Sequence, residues 1–184
     1  GVSGLVLLKT DPLLASLFLP LPAIALYAVA LKIAENMLLL VKQLANALTP
    51  VIARLASDGE PAAMRQVLLT STKVLLVPGV LGCVGTVLHG RQVLALWVGP
   101  SFAAAWPVLV VLTIAMTLTI SELSAGNMLV LGGHHGVAAR AAVASTTINV
   151  VASVVLVQWL GLVGIAAGTL VAAVLVDLGI VVRT

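Results

Sequence analysis

Lys9, Asp11, Lys32, Glu35 and Asn36 stand inside runs of otherwise apolar sequence. An ionised side chain at the centre of a bilayer costs about 2.5–3.5 kcal/mol on insertion scales. Such residues persist where they pair, hold an ion, or meet a polar solute on its way across. A lysine attracts an anionic head group, a carboxylate attracts a cation, and an amide serves either. In "LKIAENMLLLVKQL", residues 31–44, the polar positions Lys32, Glu35/Asn36 and Lys42/Gln43 recur every three to four residues, and Asn46 follows. On a helix that spacing collects them in one stripe, which suits a lumen-lining face better than a lipid-facing one. Lys32, Lys9, Glu35 and Asn36 are therefore the candidate substrate-binding residues. The competing reading is that the charges only neutralise one another and fix helix packing.

The elements carrying these residues must be membrane helices. The chain of 184 residues is 61% hydrophobic and 8% charged, with a mean hydropathy of +1.25. A soluble domain carries about 25% charged residues, so an integral membrane protein is expected. Aromatic residues make up only 3% of the chain, and no short strands alternate, which argues against an outer-membrane barrel. Cys83, the single cysteine, leaves no internal disulfide to form. The net charge of +3 comes without any Lys/Arg cluster, so no nucleic acid partner is expected. No phosphate-binding loop, nucleophile elbow or metal-ligand spacing is present, and no enzyme is expected. His134 and His135 sit in a Gly-rich "GGHHG" and read as a solvated turn. The sequence opens at Gly1 in an apolar stretch with no cleavable signal pattern, and reads as the later part of a longer protein.

Apolar length predicts about six spanning helices, over residues 2–19, 23–54, 66–88, 107–131, 137–160 and 165–183. "LPLP" makes the first turn, residues 56–66 form a polar loop, residues 89–106 form an interfacial connector, and Pro78 is an expected kink. The whole chain, 1–184, is then an all-α transmembrane lobe. Arg54, Arg65, Arg140 and Arg183 gather on one side and Arg91 on the other, which puts the first side and both chain ends in the cytoplasm. Phe18, Tyr27, Trp97, Phe102, Trp106 and Trp159 fall toward the opposite face as an interfacial belt. At about 1.5 Å per residue from the outer turn, Lys32 lies ~15 Å deep, Glu35 ~20 Å, and Lys9 and Asp11 ~12–15 Å. These four groups share one layer, with Glu35 or Asp11 expected to hold Lys32. Gly79, Gly82, Gly85, Gly164 and Gly168 predict close helix packing.

"ALYAVALKI", "LTPVIARLASDGE", "VLALWVGPSFAAAWPVLVVL" and "INVVASVVLVQWLGLVGIAAGTL" resemble, in this order, the C-terminal half of polysaccharide flippases. These belong to the multidrug/oligosaccharidyl-lipid/polysaccharide exporter superfamily. The resemblance implies one six-helix lobe of a two-lobed exporter, with the N-terminal lobe absent from this chain. It implies alternating access and transport of undecaprenyl-pyrophosphate-linked oligosaccharide across the bacterial inner membrane. The partners would be the lipid-linked saccharide, membrane lipid and the other lobe. The lipid II flippase of the superfamily carries a sodium site. The positions matching its ligands are Asp11, the pair Asn149 and Ser153, the hydroxyl of Thr169 and the carbonyl of Ile165. Ser153 stands where that site has a carboxylate. Depth counting independently puts Asp11, Ser153 and Thr169 at ~9–12 Å, with Asn149 slightly deeper. Oxygen ligands at one level suit a hard cation; helix glue is the competing reading. No other cofactor is expected, and sodium or a proton would be the coupling ion. The rival functions are a multidrug/cation antiporter, which Lys9 and Lys32 oppose, and a membrane-embedded sugar-lipid enzyme, which the small loops oppose.

Overall fold

Runs of Leu, Val, Ala and Ile broken only at Pro and Gly leave the backbone few options except helices, whose hydrogen bonds close within one segment. A computed structural model describes residues 11–12, 14–57, 61–131 and 135–177, and its secondary structure is helical throughout. A short helical segment at 14–18 leads into α1 (Leu21–Ser57), and α2 follows (Pro61–Trp97). A 3-10 turn (Pro100–Ala105) precedes α3 (Trp106–Leu131). Next come α4 (His135–Leu160) and α5 (Leu162–Ala172), which runs into a π-helical turn at Ala173–Asp177.

Among the described residues, four stretches are long and apolar enough to cross a membrane: Leu21–Ala47, Leu69–Trp97, Pro100–Ser121 and Ala139–Leu160. The apolar stretch Leu162–Val176 is shorter. The first expected span, 2–19, lies mostly outside the described residues, as do residues 58–60 of the polar loop and the end of the last span.

α2 runs further than the expected 66–88. The helix continues through His89, Gly90 and Arg91 to Trp97, so the stretch 89–97 is not a connector. "HGRQVLALW" contains no proline, and Gly90 serves packing rather than a turn. A Cβ at Gly90 would stand 3.0 Å from Trp106 Cδ1. The break comes at Gly99, whose φ of 131° is open to glycine, followed by Pro100.

α3 is the central helix. Half of its apolar span is buried, the largest share of the four described spans, and α1, α2, α4 and α5 all pack on it. Leu109, Leu112, Met116 and Ile120 of α3 meet Ala30, Leu31, Ala34 and Leu38 of α1, with Leu75 and Leu94 of α2 and Ile165 of α5, in one core. Its hydroxyls are satisfied locally: Thr113 donates to Leu109 O at 2.6 Å and Thr117 to Thr113 O at 2.8 Å. Thr117 also reaches Gly79 O of α2 at 3.3 Å. Small residues bring backbones together here: a Cβ at Gly79 would meet Ile120 at 2.7 Å, and one at Gly82 would meet Met37 at 2.5 Å. Gly85, expected to pack closely, faces open space instead. The outer surface is apolar, with Val77, Leu81, Val84 and Leu88 of α2 and Leu39 and Leu40 of α1 exposed.

Candidate functional site: a buried oxygen cluster

Two helical hairpins bring the site together. In the first, the N-terminal segment ends at Leu19, whose N–H closes on Ala15 O at 3.0 Å, and α1 begins after Pro20. An antiparallel reversal about Leu19 sets residue 11 level with residue 27. Tyr27 of α1 donates its hydroxyl to Asp11 Oδ2 at 2.9 Å. Both side chains are buried.

The second hairpin turns at Gly161, whose φ of 56° favours a residue without Cβ. Reversal about Trp159 pairs Ser153 with Ile165 and Asn149 with Thr169. Ser153 Oγ donates to Ile165 O at 3.2 Å, and Asn149 Nδ2 donates to Thr169 Oγ1 at 3.0 Å. The pairing depends on close approach of the two backbones. A Cβ at Gly168 would stand 2.6 Å from Ser153 N, and one at Gly164 would stand 2.6 Å from Val157 N. These glycines are what lets α5 press against α4.

The hairpins meet at Asp11. Thr169 Oγ1 donates to Asp11 Oδ2 at 2.7 Å while it accepts from Asn149. Asp11, Asn149 and Ser153 are at most 3% exposed. Two of their oxygens, Asp11 Oδ1 and Asn149 Oδ1, are buried with no hydrogen-bond partner. Buried acceptors are nearly always satisfied, and an unsatisfied one costs about 1–3 kcal/mol. All the oxygens present (carboxylate, amide, hydroxyl and the Ile165 carbonyl) are hard donors of the kind that hold a hard cation. Asp11, Asn149 and Thr169 are thus drawn from three separate stretches into one hydrogen-bond chain. The Ser153–Ile165 pair lies one turn away on the same two helices, and the oxygens present fit such an ion. Among the described residues, no group of three or more His, Cys, Asp and Glu side chains gathers as a metal site.

The expected layer of paired charges is arranged differently. Asp11 turns inward to Tyr27 and Thr169 rather than to Lys32. Lys32 Nζ instead lies 3.5 Å from Glu35 Oε2, one turn along α1, with 71% of its side chain exposed. Asn36 is exposed on the same helix, beside that pair. Lys9 and His134 lie outside the described residues.

Tyr27 corrects the aromatic belt. It is 1% exposed and belongs to the core, while Phe18, Trp97 and Trp159 are exposed as a belt requires. Trp106 is partly buried and donates its indole N–H to Thr86 O at 3.1 Å. The sequence reading missed Tyr27 as a site residue although the signal was present. Residues 11 and 27 are equidistant from the turn, and a buried phenol needs a partner.

No protein-family model matches the chain, and no solved structure matches it. Over 162 residues, 86% of this chain, it is 24% identical to the probable low-salt glycan biosynthesis flippase Agl15 of Haloferax volcanii. The matched part spans 34% of that protein's length, so this chain corresponds to about a third of it.

Proposed function

We propose that this chain is one helical lobe of a multi-pass membrane flippase that moves a polyprenyl-linked glycan between leaflets by alternating access. It works with a second lobe of similar size, and it is a transporter rather than an enzyme. The match to a glycan biosynthesis flippase along 86% of the chain supports the substrate class. The apolar outer surface and four span-length helices support the membrane setting. The resemblance of the ordered segments supports undecaprenyl pyrophosphate as the lipid carrier and the bacterial inner membrane as the location.

The observation that carries the mechanism is the pair of orphaned acceptors, Asp11 Oδ1 and Asn149 Oδ1, the buried side-chain oxygens without a partner among the described residues. A sodium ion bound there would supply the missing positive partner and neutralise the carboxylate; a proton on Asp11 would supply the same charge. Thr169 and Tyr27 hold the carboxylate by its other oxygen, and Ser153 holds the Ile165 carbonyl. Their work is orientation. An ion held by Asp11 and Asn149 would bridge the N-terminal segment and α4, with α5 tied in through Thr169, so occupancy biases how these three elements sit against one another. Lys32, with Glu35 and Asn36 beside it on an exposed stripe, faces the surface where the second lobe would close. There it attracts the anionic pyrophosphate, while the apolar helix faces leave the lipid tail in the bilayer. Lys9 is its partner in this reading.

The test uses the full-length protein and its Asp11→Asn variant, which fills the same space without the charge. The parent should gain thermal stability as sodium replaces choline, and transport in a surface-glycan complementation assay should depend on Asp11. The variant should fold, lose the sodium response and transport at a small fraction of the parental rate. A stability gain driven by falling pH rather than by sodium would assign the site to a proton. Full transport by Asp11→Asn would remove the coupling role altogether.

A further inference from the structure

The two carboxylate oxygens of Asp11 are in unequal positions. Oδ2 accepts two hydroxyl hydrogens, from Tyr27 at 2.9 Å and Thr169 at 2.7 Å, whereas Oδ1 accepts none. Tyr27 is a core residue of α1, and Lys32 follows five positions later on the exposed flank of the same helix. α1 packs chiefly on α2 and α3, while α4 and α5 pack on each other and on α3. A continuous hydrogen-bond chain nevertheless crosses between them, from Tyr27 on α1 through Asp11 to Thr169 on α5 and Asn149 on α4. Tyr27 is the member of that chain that α1 contributes.

We propose that Tyr27 is a positioning residue that couples occupancy of the Asp11 site to the placement of α1, and through α1 to the glycan-facing stripe at Lys32. This inference rests on the cation reading of the cluster given above. The direction follows from the charge on Asp11. With Oδ1 bare and the carboxylate ionised, as the cation reading requires, the bond from the phenol is charge-assisted, roughly twice as strong as a neutral one. A cation at Oδ1 draws electron density away from Oδ2, weakens the phenol's bond and loosens α1. Coupling of this kind is reciprocal: whatever the ion takes from the phenol bond, the phenol bond takes from the ion. The parent therefore binds sodium more weakly than it would without the hydroxyl.

Removing the hydroxyl separates this role from plain scaffolding. In full-length protein carrying Cys83→Ala, an environment-sensitive fluorophore on Ala28→Cys, an exposed α1 position next to Tyr27, reports α1. Sodium binding is read separately from the sodium-dependent rise in melting temperature, with sodium exchanged for choline at constant ionic strength. In the parent, sodium should shift both signals with one midpoint. In Tyr27→Phe the melting response should persist with its midpoint at about fivefold lower sodium or less, the lower end of typical coupling strengths. The fluorophore response should be lost, because α1 is already released. An unchanged or higher sodium midpoint in Tyr27→Phe overturns the inference and leaves the phenol as a structural part of the site. So does a fluorophore response equal to the parent's. A parent that responds to sodium in neither signal removes the cation reading, and the inference falls with it. Asp11→Asn, lacking the ligand itself, should silence both signals and so marks the baseline.

Discussion

Asp11 and Lys32 lie on the two arms of one hairpin yet belong to different chemistry. Asp11 is 3% exposed and held by two hydroxyls. Lys32 is exposed, and its neighbour is Glu35 at 3.5 Å. In a water-filled cavity an exposed pair of this kind contributes about 0–1 kcal/mol to stability, and facing lipid it would only cost, so packing gives little reason for a lysine there. Lys32→Ala should thus leave the melting temperature nearly unchanged but cut transport by tenfold or more. That is the size expected when a charge-assisted contact of about 1.5–3 kcal/mol is lost. Lys32→Arg should keep partial transport because it retains the cation, though not its compact shape. The exchange of Lys32→Glu with Glu35→Lys should stay inactive, since it preserves the pair but moves the cation one turn along α1. Transport restored by that exchange, measured by complementation at matched membrane levels, would return Lys32 to a packing role. Lys42 lies near the end of the apolar stretch Leu21–Ala47 and Arg54 beyond it, within reach of the interface, so neither needs such an account.

At the scale of elements, the site depends on how closely α5 lies on α4. Gly168 and Gly164 stand where a Cβ would meet the backbone of Ser153 and of Leu156–Val157. Backbone cannot swing aside as a side-chain tip can. Gly168→Ala should therefore destabilise the protein by about 1–3 kcal/mol, the usual cost of overpacking. It should also abolish the sodium-dependent stabilisation, because Ser153 and Ile165 would be pushed apart. Gly85→Ala is the comparison: with open space around it, the substitution should be neutral or stabilising by up to ~1 kcal/mol through helix propensity alone. Melting temperatures in detergent, with and without sodium, distinguish the two. Equal behaviour of both variants would mean that α4 and α5 do not touch as described. The same logic explains Gly90, which admits Trp106 against α2 within an unbroken helix.

For the whole molecule, exposed Arg54 and Arg140 stand toward the end of the bundle opposite exposed Trp97 and Trp159, and positive charge marks the cytoplasmic side. A cysteine placed at Asp58 in a Cys83-free background should resist an impermeant thiol reagent added to intact cells, and react after permeabilisation. Ready labelling from outside would invert the orientation. Helical architecture could be read from the sequence because the bilayer leaves the backbone few alternatives: an apolar run of sufficient length is a helix or it is unsatisfied. Register within the hairpins was readable only in part: counting set Asp11 near the level of Lys32, whereas it meets Tyr27, and the pairing of α4 with α5 came from the resemblance. Asn149 reaches Thr169, and Ser153 reaches Ile165, about the same centre at Trp159. What counting residues cannot supply is rotation about a helix axis and the choice of neighbour. Those decided that Tyr27 points inward to Asp11 instead of outward into a belt, and that Lys32 meets Glu35 and not Asp11. They also placed α3 at the centre and left Oδ1 as the bare oxygen. Each is settled by which side chains interlock across facing helices, a property of pairs of surfaces that no single stretch of chain contains.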